Sequence, residues 1–101
     1  MENNIPKEVI EIVKSVLSSL VDKSKYRIFF FGSRVNGQAS ERADIDVAIY
    51  GDSPLDPLIF SRIKEGFENS KTLYSIDLVD LQNTSISFRN HVLSNPTISV
   101  F

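Results

Sequence analysis

The sequence predicts one small α+β domain in which a mixed β-sheet packs against helices. Short apolar runs of strand character alternate with longer segments of helical periodicity, and glycine and proline occur mainly at the boundaries between them. The chain has 101 residues, of which 42% are hydrophobic and 24% charged, as is typical of a globular domain. We therefore expect residues 1–101 to form a single domain, with the helices on a sheet of about three strands.

Three segments have the signals of helices. The first follows Pro6, the second opens at Pro54 and Pro57, and the last begins after Thr84, the expected N-cap. Apolar residues at helical spacing mark the first helix: Val9, Ile10, Ile12, Val13, Val16, Leu17 and Leu20. A similar stripe marks the second: Leu55, Leu58, Ile59, Ile63 and Phe67. The last helix carries Ile86, Phe88, Val92 and Leu93, with His91 expected at its surface or in packing.

Three shorter segments predict β-strands, namely residues 27–31, 44–50 and 75–81. The first is rich in aromatic residues and is followed by Gly32, where a turn opens. The apolar tail, residues 98–101, is expected either to dock as a short edge element or to contact a partner.

Composition excludes several kinds of function. The chain has no Cys and a single His, so thiolate catalysis, disulfides and Cys- or multi-His metal centres are excluded, and any metal must be held mainly by oxygen. The net charge of -2 argues against a nucleic-acid partner. No apolar run approaches the ~20 residues that cross a bilayer, and the N-terminus has no signal-peptide pattern, so we expect a cytoplasmic protein without membrane contact.

Two aspartates in the second strand indicate a metal site. Asp44 and Asp46 are two positions apart and should project from the same face, whereas Ile45 and Val47 should face the core. Neighbouring carboxylates repel each other unless a cation lies between them, and Mg²⁺ prefers carboxylate, water and phosphate oxygens. The alternative interpretation of this pair is scattered acids on a solvent-facing strand.

Asp77 is the candidate for a third carboxylate. It interrupts an apolar strand, where an unpaired charge is costly if buried. If this strand lies beside the second strand, Asp77 completes a cluster that can hold two ions about 3.5–4 Å apart, the arrangement used for in-line phosphoryl or nucleotidyl transfer. The alternative is an edge-strand charge or a structural hydrogen bond. We expect Asp80, near the strand end, to cap or to face solvent.

The turn after the first strand is a candidate phosphate site. Gly32 permits positive φ and close backbone approach, and Ser33 stands where a helix would begin. The Ser33 hydroxyl could donate to a phosphate oxygen, and Arg34 would add positive charge if it points inward. For Gly32 the alternative is an ordinary strand-to-helix turn, and for Arg34 it is a surface salt bridge.

These residues together carry a family resemblance. Gly32 and Ser33, ten intervening residues, and then Asp44 and Asp46 resemble the signature of the nucleotidyltransferase superfamily related to DNA polymerase beta. Asp77 matches the later family carboxylate. Over nearly its whole length the chain resembles the minimal nucleotidyltransferases, the short antitoxins of prokaryotic HEPN/MNT toxin–antitoxin pairs.

The resemblance implies a polymerase beta-like fold, two Mg²⁺ ions, and ATP or another nucleoside triphosphate as substrate. It implies transfer of a nucleoside monophosphate, AMP in the case of ATP, to a hydroxyl with release of pyrophosphate. Asp44 and Asp46 would hold the metals that grip the triphosphate, and Gly32 and Ser33 would cradle its β and γ phosphates. Asp77 would help to hold the second ion and would activate the acceptor hydroxyl, by general base action or by metal coordination.

The resemblance also implies a partner. Members of these pairs adenylylate a tyrosine of the cognate toxin, so we expect a hetero-oligomer with a small helical HEPN-type toxin. The chain has no room for an additional acceptor domain, which favours a protein acceptor. The alternative is a catalytically silent antitoxin that neutralises its partner by contact. Two positions depart from the family pattern: Asn36, where many relatives carry a basic residue, and Ala43, where Ser is common.

Overall fold

A mixed four-stranded sheet is formed by the described part of the chain. The computed structural model describes residues 5–37 and 44–101. Their elements in chain order are α1 Lys7–Ser18, β1 Tyr26–Phe31, α2 Ser33–Asn36, β2 Ile45–Gly51, α3 Pro57–Glu68, β3 Ile76–Asp80, a 3₁₀ turn Leu81–Asn83, α4 Ile86–Ser94 and β4 Ile98–Ser99. The predicted α+β class with a small mixed sheet is confirmed. Ala43 and most of the ten-residue spacer lie outside the described residues.

The strand order is β3-β2-β1-β4. β1 is antiparallel to β2 and β4, whereas β3 is parallel to β2, to which α3 connects it as a crossover helix. The expected three strands gain a fourth because the tail pairs with β1: Val100 N donates to Ile28 O at 3.0 Å. The tail is therefore a short edge element, in which Val100 is buried while Ser99 and Phe101 are exposed.

The two faces of the sheet bury different clusters. On the first face, Ile45, Val47 and Ile49 of β2 pack with the apolar stripes of α1 and α3, which confirms the predicted stripes of both helices. Leu58 is the exception, since it lies in the first turn of α3 and is 59% exposed. On the second face, a smaller cluster lies under α4: Phe29, Phe31, Ala48, Leu81 and Val92.

Side-chain caps set the starts of the later helices. Asp56 caps α3 by accepting from Leu58 N at 2.8 Å, with Pro57 in the first helical position. Ser85 caps α4, because its hydroxyl accepts from Phe88 N at 3.1 Å. Thr84, the predicted cap, is wrong by one residue, and its hydroxyl donates to Leu81 O instead. α4 buries little beyond Val92, and its His91 is exposed as expected. No described helix is long and apolar enough to cross a membrane.

Candidate active site

The candidate carboxylates meet where β2 and β3 begin. Asp46 lies between Phe31 of β1 and Asp77 of β3 in the sheet register. Ile45 and Val47, on either side of Asp46, are fully buried on the first face, while Asp46 is half-buried on the second. The predicted alternation is therefore confirmed, and the predicted neighbour relation between the second and third strands is confirmed as well.

The electrostatics of this rim are those of acids that crowd one another. Burial, followed by the charges of Asp77 and Asp44, raises the pKa of Asp46 to about 6. Burial and the charge of Asp44 also raise the pKa of Asp77, and a hydrogen bond to Asp44 favours its protonated form further. The ammonium of Lys64 acts in the opposite direction on the pKa of Asp77. The part of these shifts that comes from neighbouring negative charges would also favour a cation at the rim.

Asp44, Asp46 and Asp77 adjoin one another in pairs, but their carboxylates do not surround a common metal position. Asp44 shares a hydrogen bond with Asp77, and Asp77 stands beside Asp46 in the register. Within residues 5–37 and 44–101, no three acidic, His or Cys side chains are already arranged to hold a metal ion. Coordination of metal by all three carboxylates therefore stays a prediction.

Gly32 places the turn against Asp46. Its φ of 87° is a conformation that L side chains rarely adopt, and a Cβ there would collide with Asp46 Oδ2. The positive φ and the close approach expected from the sequence are thus both present, with the neighbour being a carboxylate of the candidate site. Glycine is required here because any side chain would occupy the space of Asp46.

A single helical turn follows this glycine. α2 spans Ser33–Asn36, with Gly32 as its N-cap and Gly37 as a left-handed C-cap. Val35 N and Asn36 N both donate to Gly32 O, at 3.0 and 3.1 Å. Since the first N–H groups of a helical turn have no acceptor within it, they are available to an anion, and Ser33 at this point is exposed. Phosphate binding by Gly32 and Ser33 stays a prediction.

Arg34 does not lie on the surface. It is 4% exposed, and its guanidinium lies 5.3 Å from the centroid of the Tyr74 ring. The surface position weighed from the sequence is therefore wrong, because the side chain packs inward over an aromatic ring. Its predicted role in nucleotide binding is not tested by this geometry and stays a prediction.

Three neighbours of the site carried no clear signal in the sequence. Tyr74 stacks on Arg34 across the fold, and Lys64, an exposed residue of α3, lies close enough to act on Asp77. The buried Oδ1 of Asn36 has no hydrogen-bond partner among the described residues. Only Asn36 could have been singled out, from its departure from the family pattern. The other two depend on contacts between segments far apart in the chain.

Comparison with known proteins agrees with this geometry. The family model described as "Polymerase beta, Nucleotidyltransferase" matches residues 11–98. The chain belongs to this family. Over 86 residues it is 42% identical to the "Probable protein adenylyltransferase MntA" of Haemophilus influenzae strain Rd, a match that covers 85% of this chain and 74% of that protein. The family membership expected from the sequence is confirmed, and the chain is a nucleotidyltransferase.

Solved structures of this nucleotidyltransferase family share the fold. A chain in a crystal structure of a toxin–antitoxin with AMP-PNP superposes with a TM-score of 0.70 at 23% identity, covering 91% of this chain and 72% of that one. A chain in a complex of tri-AMPylated Shewanella oneidensis HEPN toxin with MNT antitoxin gives a TM-score of 0.62 at 20% identity, covering 91% and 68%. At these identities the similarity establishes the common architecture.

Proposed function

We propose that this nucleotidyltransferase moves AMP from ATP to a tyrosine hydroxyl of a small helical HEPN-type toxin, with which it assembles, and so acts as the antitoxin. The observation that carries the proposal is the meeting of Asp44, Asp46 and Asp77 at one rim of the sheet, beside the glycine turn at Gly32. The relative named as a protein adenylyltransferase supports AMP transfer, and the relative solved with an AMPylated HEPN toxin supports that acceptor.

The donors at this rim suit Mg²⁺. All three are carboxylates, which a hard cation of octahedral preference binds together with water and phosphate oxygens. Burial and then the neighbouring acids raise the pKa values of Asp46 and Asp77, and a divalent ion would relieve the repulsion between these acids. We propose that Asp44 and Asp46 hold the ions that grip the triphosphate and that Asp77 contributes to the second. When bound, Mg²⁺ supplies charge neutralisation on the phosphates.

The residues of the turn would orient the triphosphate. The backbone at Gly32 lies against the Asp46 carboxylate, so a phosphate held there is close to the acidic rim. The Ser33 hydroxyl is exposed and free to donate to a β or γ oxygen. Arg34 would contribute positive charge from within the fold. Catalysis then consists mainly of positioning and electrostatic stabilisation.

The proposed reaction balances as a single displacement. The tyrosine oxygen forms a bond to the α-phosphorus of ATP while the bond from that phosphorus to the α–β bridging oxygen breaks, and pyrophosphate leaves. The phenolic proton passes to the carboxylate of Asp77, which we assign to the acceptor hydroxyl. Asp77 is exposed, as the base facing an incoming acceptor must be.

The environment of the reaction follows from its reagents. ATP, Mg²⁺ and an intracellular toxin are available together in the cytoplasm, which we propose as the location. The rim is accessible to a large acceptor, because Asp44 and Asp77 are both exposed. A folded protein that brings its own tyrosine is the acceptor class that such a site suits.

Transfer of differently labelled ATP tests the proposal. The chain is incubated with Mg²⁺ and the HEPN toxin encoded beside its own gene, using ATP labelled in either the α or the γ phosphate. The proposal predicts label on the toxin from α-labelled ATP alone, on a tyrosine. Label from γ-labelled ATP would indicate phosphoryl transfer. Neutralisation of the toxin with no label from either substrate would support the silent antitoxin and contradict the proposal.

A further inference from the structure

β3 has an open edge. It pairs with β2 on one side, and no other strand in the described residues pairs with its far side. Ile45 N donates to Ser75 O at 2.8 Å, so the backbone groups of Ser75 and Asp77 point toward β2. Because these groups alternate along a strand, those of Ile76 and Leu78 point outward. An open row of N–H and C=O groups is a template for another extended chain.

A groove runs beside this edge. It has a volume of about 440 Å³ and lies between β3 and the start of α3. Its apolar lining comes from both sides: Leu55, Pro57, Phe60, Leu78 and Val79. Ser61, an exposed residue of α3, forms part of its wall. Leu78 lines the groove, and its backbone groups also point outward from β3. The groove therefore lies along the open edge of this strand.

The groove and the catalytic rim belong to one strand. Asp77, the exposed carboxylate assigned to the acceptor, is one residue before Leu78. On the face that Asp77 shares, α4 packs through Val92 over Phe29 and Ala48, which belong to β1 and β2. On that face, α4 therefore covers the sheet over β1 and β2. No described strand or helix covers the outer edge of β3, so an acceptor can reach Asp77 from there.

We propose that an extended segment of the acceptor polypeptide, outside its helices, pairs as an added strand with the outer edge of β3, which places its acceptor tyrosine in register with Asp77. This inference rests on the proposed function. Strands in a sheet lie about 4.8 Å apart, and residues in register project from the same face. A tyrosine opposite Asp77 therefore projects onto the face that carries the carboxylates. Neighbouring side chains of the added strand would fill the apolar groove.

Filling the groove tests the proposal. Ser61→Trp places a large side chain in the groove wall at a residue outside the nucleotide and metal machinery. With the HEPN toxin encoded beside the gene as acceptor, we expect the KM for the toxin to rise at least about tenfold, while the affinity for a non-hydrolysable ATP analogue stays unchanged. The matched control is Ser15→Trp on the exposed surface of α1, which should leave both values unaltered.

Amide hydrogen exchange distinguishes an added strand from docking through side chains alone, because only the added strand forms hydrogen bonds with the outward amides of β3. In the complex with toxin and without ATP, the outward amides of Ile76 and Leu78 should exchange at least about tenfold more slowly than in the free chain. Unchanged exchange at both amides, with transfer insensitive to Ser61→Trp, would overturn the added strand while leaving the transferase function intact. Protection of both amides without any label on the toxin would support the docking mode and contradict the proposed function.

Discussion

Two aspartates three residues apart in the third strand have opposite surroundings. Asp80 is 5% exposed and is held by N–H donors: Leu55 N at 2.8 Å, Gln82 N at 3.2 Å and Asn83 Nδ2 at 3.4 Å. Asp77 is exposed, and the side chain to which it hydrogen-bonds is another carboxylate, that of Asp44. The fold thus supplies N–H donors to the carboxylate of Asp80, whereas the carboxylate of Asp77 faces another acid.

We propose that this difference separates a structural acid, Asp80, from a functional one, Asp77. A buried charge surrounded by N–H donors joins segments of the chain, and here Asp80 ties the loop before α3 to the 3₁₀ turn after β3. Acids that face one another lack such donors, and we propose that a cation neutralises them. The prediction that Asp80 caps is confirmed, whereas exposure to solvent is wrong, because the incoming loop covers it. Variants of the two kinds of acid should differ in whether they change the transfer rate or the free energy of unfolding.

Removal of a rim charge should give the largest effect. Asp46→Asn keeps the shape of the side chain and removes the charge proposed to hold metal. We expect the rate of AMP transfer to fall at least about 10³-fold, equivalent to about 4 kcal/mol of barrier, with the circular dichroism of the fold unchanged. The control is Asp52→Asn, an exposed acid just beyond β2, which should retain full activity. An Asp46→Asn variant with more than a tenth of the normal rate would contradict the assignment.

Removal of the satisfied carboxylate should act on stability instead. Asp80→Ala leaves the buried Leu55 N without its acceptor and opens the link between two segments. We expect the free energy of unfolding in urea to fall by about 3 kcal/mol, the cost of orphaning donors that bonded a charged group. A loss below about 0.5 kcal/mol would show that the loop and the turn hold each other without Asp80.

Strain at the glycine turn should give an intermediate effect. Gly32→Ala introduces a Cβ where φ is positive and where Asp46 Oδ2 already lies. We expect a loss of about 2 kcal/mol in unfolding free energy together with reduced transfer, because the new methyl group displaces the Asp46 carboxylate. Unfolding by urea and the transfer rate measure the two effects. If stability falls while transfer is retained, the turn is structural and does not position the rim.

The dependence of stability on pH should show the smallest effect, through the titration of Asp46. The pKa of Asp46 rises from 3.8 to about 6 on folding, so the folded protein holds this proton more tightly than the unfolded chain. Its contribution to stability is therefore full below about pH 4 and is lost as the pH rises through about 6, in the absence of metal. Because Asp46 is only half-buried, we expect a loss on the order of 1 kcal/mol.

Chemical unfolding with a chelator present checks the sign of this linkage. Asp46→Asn should be the more stable protein near pH 7.5, and the difference should vanish near pH 4. A wild-type protein that instead gained stability relative to Asp46→Asn as the pH rose would mean that the ionised Asp46 is favoured by the fold. That outcome would remove the electrostatic argument for a cation at the rim.

Much of the fold could be predicted from the sequence because local signals and packing agree. The alternation at Asp44, Ile45 and Asp46 predicted which side chains face the core, and the apolar stripes predicted the buried faces of α1 and α3. The cap at Ser85 was missed by one residue, since adjacent Ser and Thr can both cap a helix and their hydrogen bonds show which one does. Leu58 was misplaced because a stripe does not show where a helix leaves the core.

The sequence indicated which residues belong to the candidate site, but it did not indicate which other residues pack around them. The spacing from Gly32 to Asp46 indicated a shared site, and the structure brings the two into contact. The burial of Arg34 against Tyr74 was not predictable, because it depends on how two segments far apart in the chain pack. The same holds for the open edge of β3, which follows from strand order rather than from any local pattern.

Paramagnetic broadening by Mn²⁺ tests the central claim most directly, since Mn²⁺ accepts the same oxygen ligands as Mg²⁺. In the isotope-labelled chain with a non-hydrolysable ATP analogue, substoichiometric Mn²⁺ should broaden the amide resonances of Gly32, Ile45 and Asp77 first. The broadening should disappear in Asp46→Asn and persist in Asp52→Asn. Broadening centred elsewhere, or unchanged in Asp46→Asn, would contradict the claim that these facing carboxylates form the metal site.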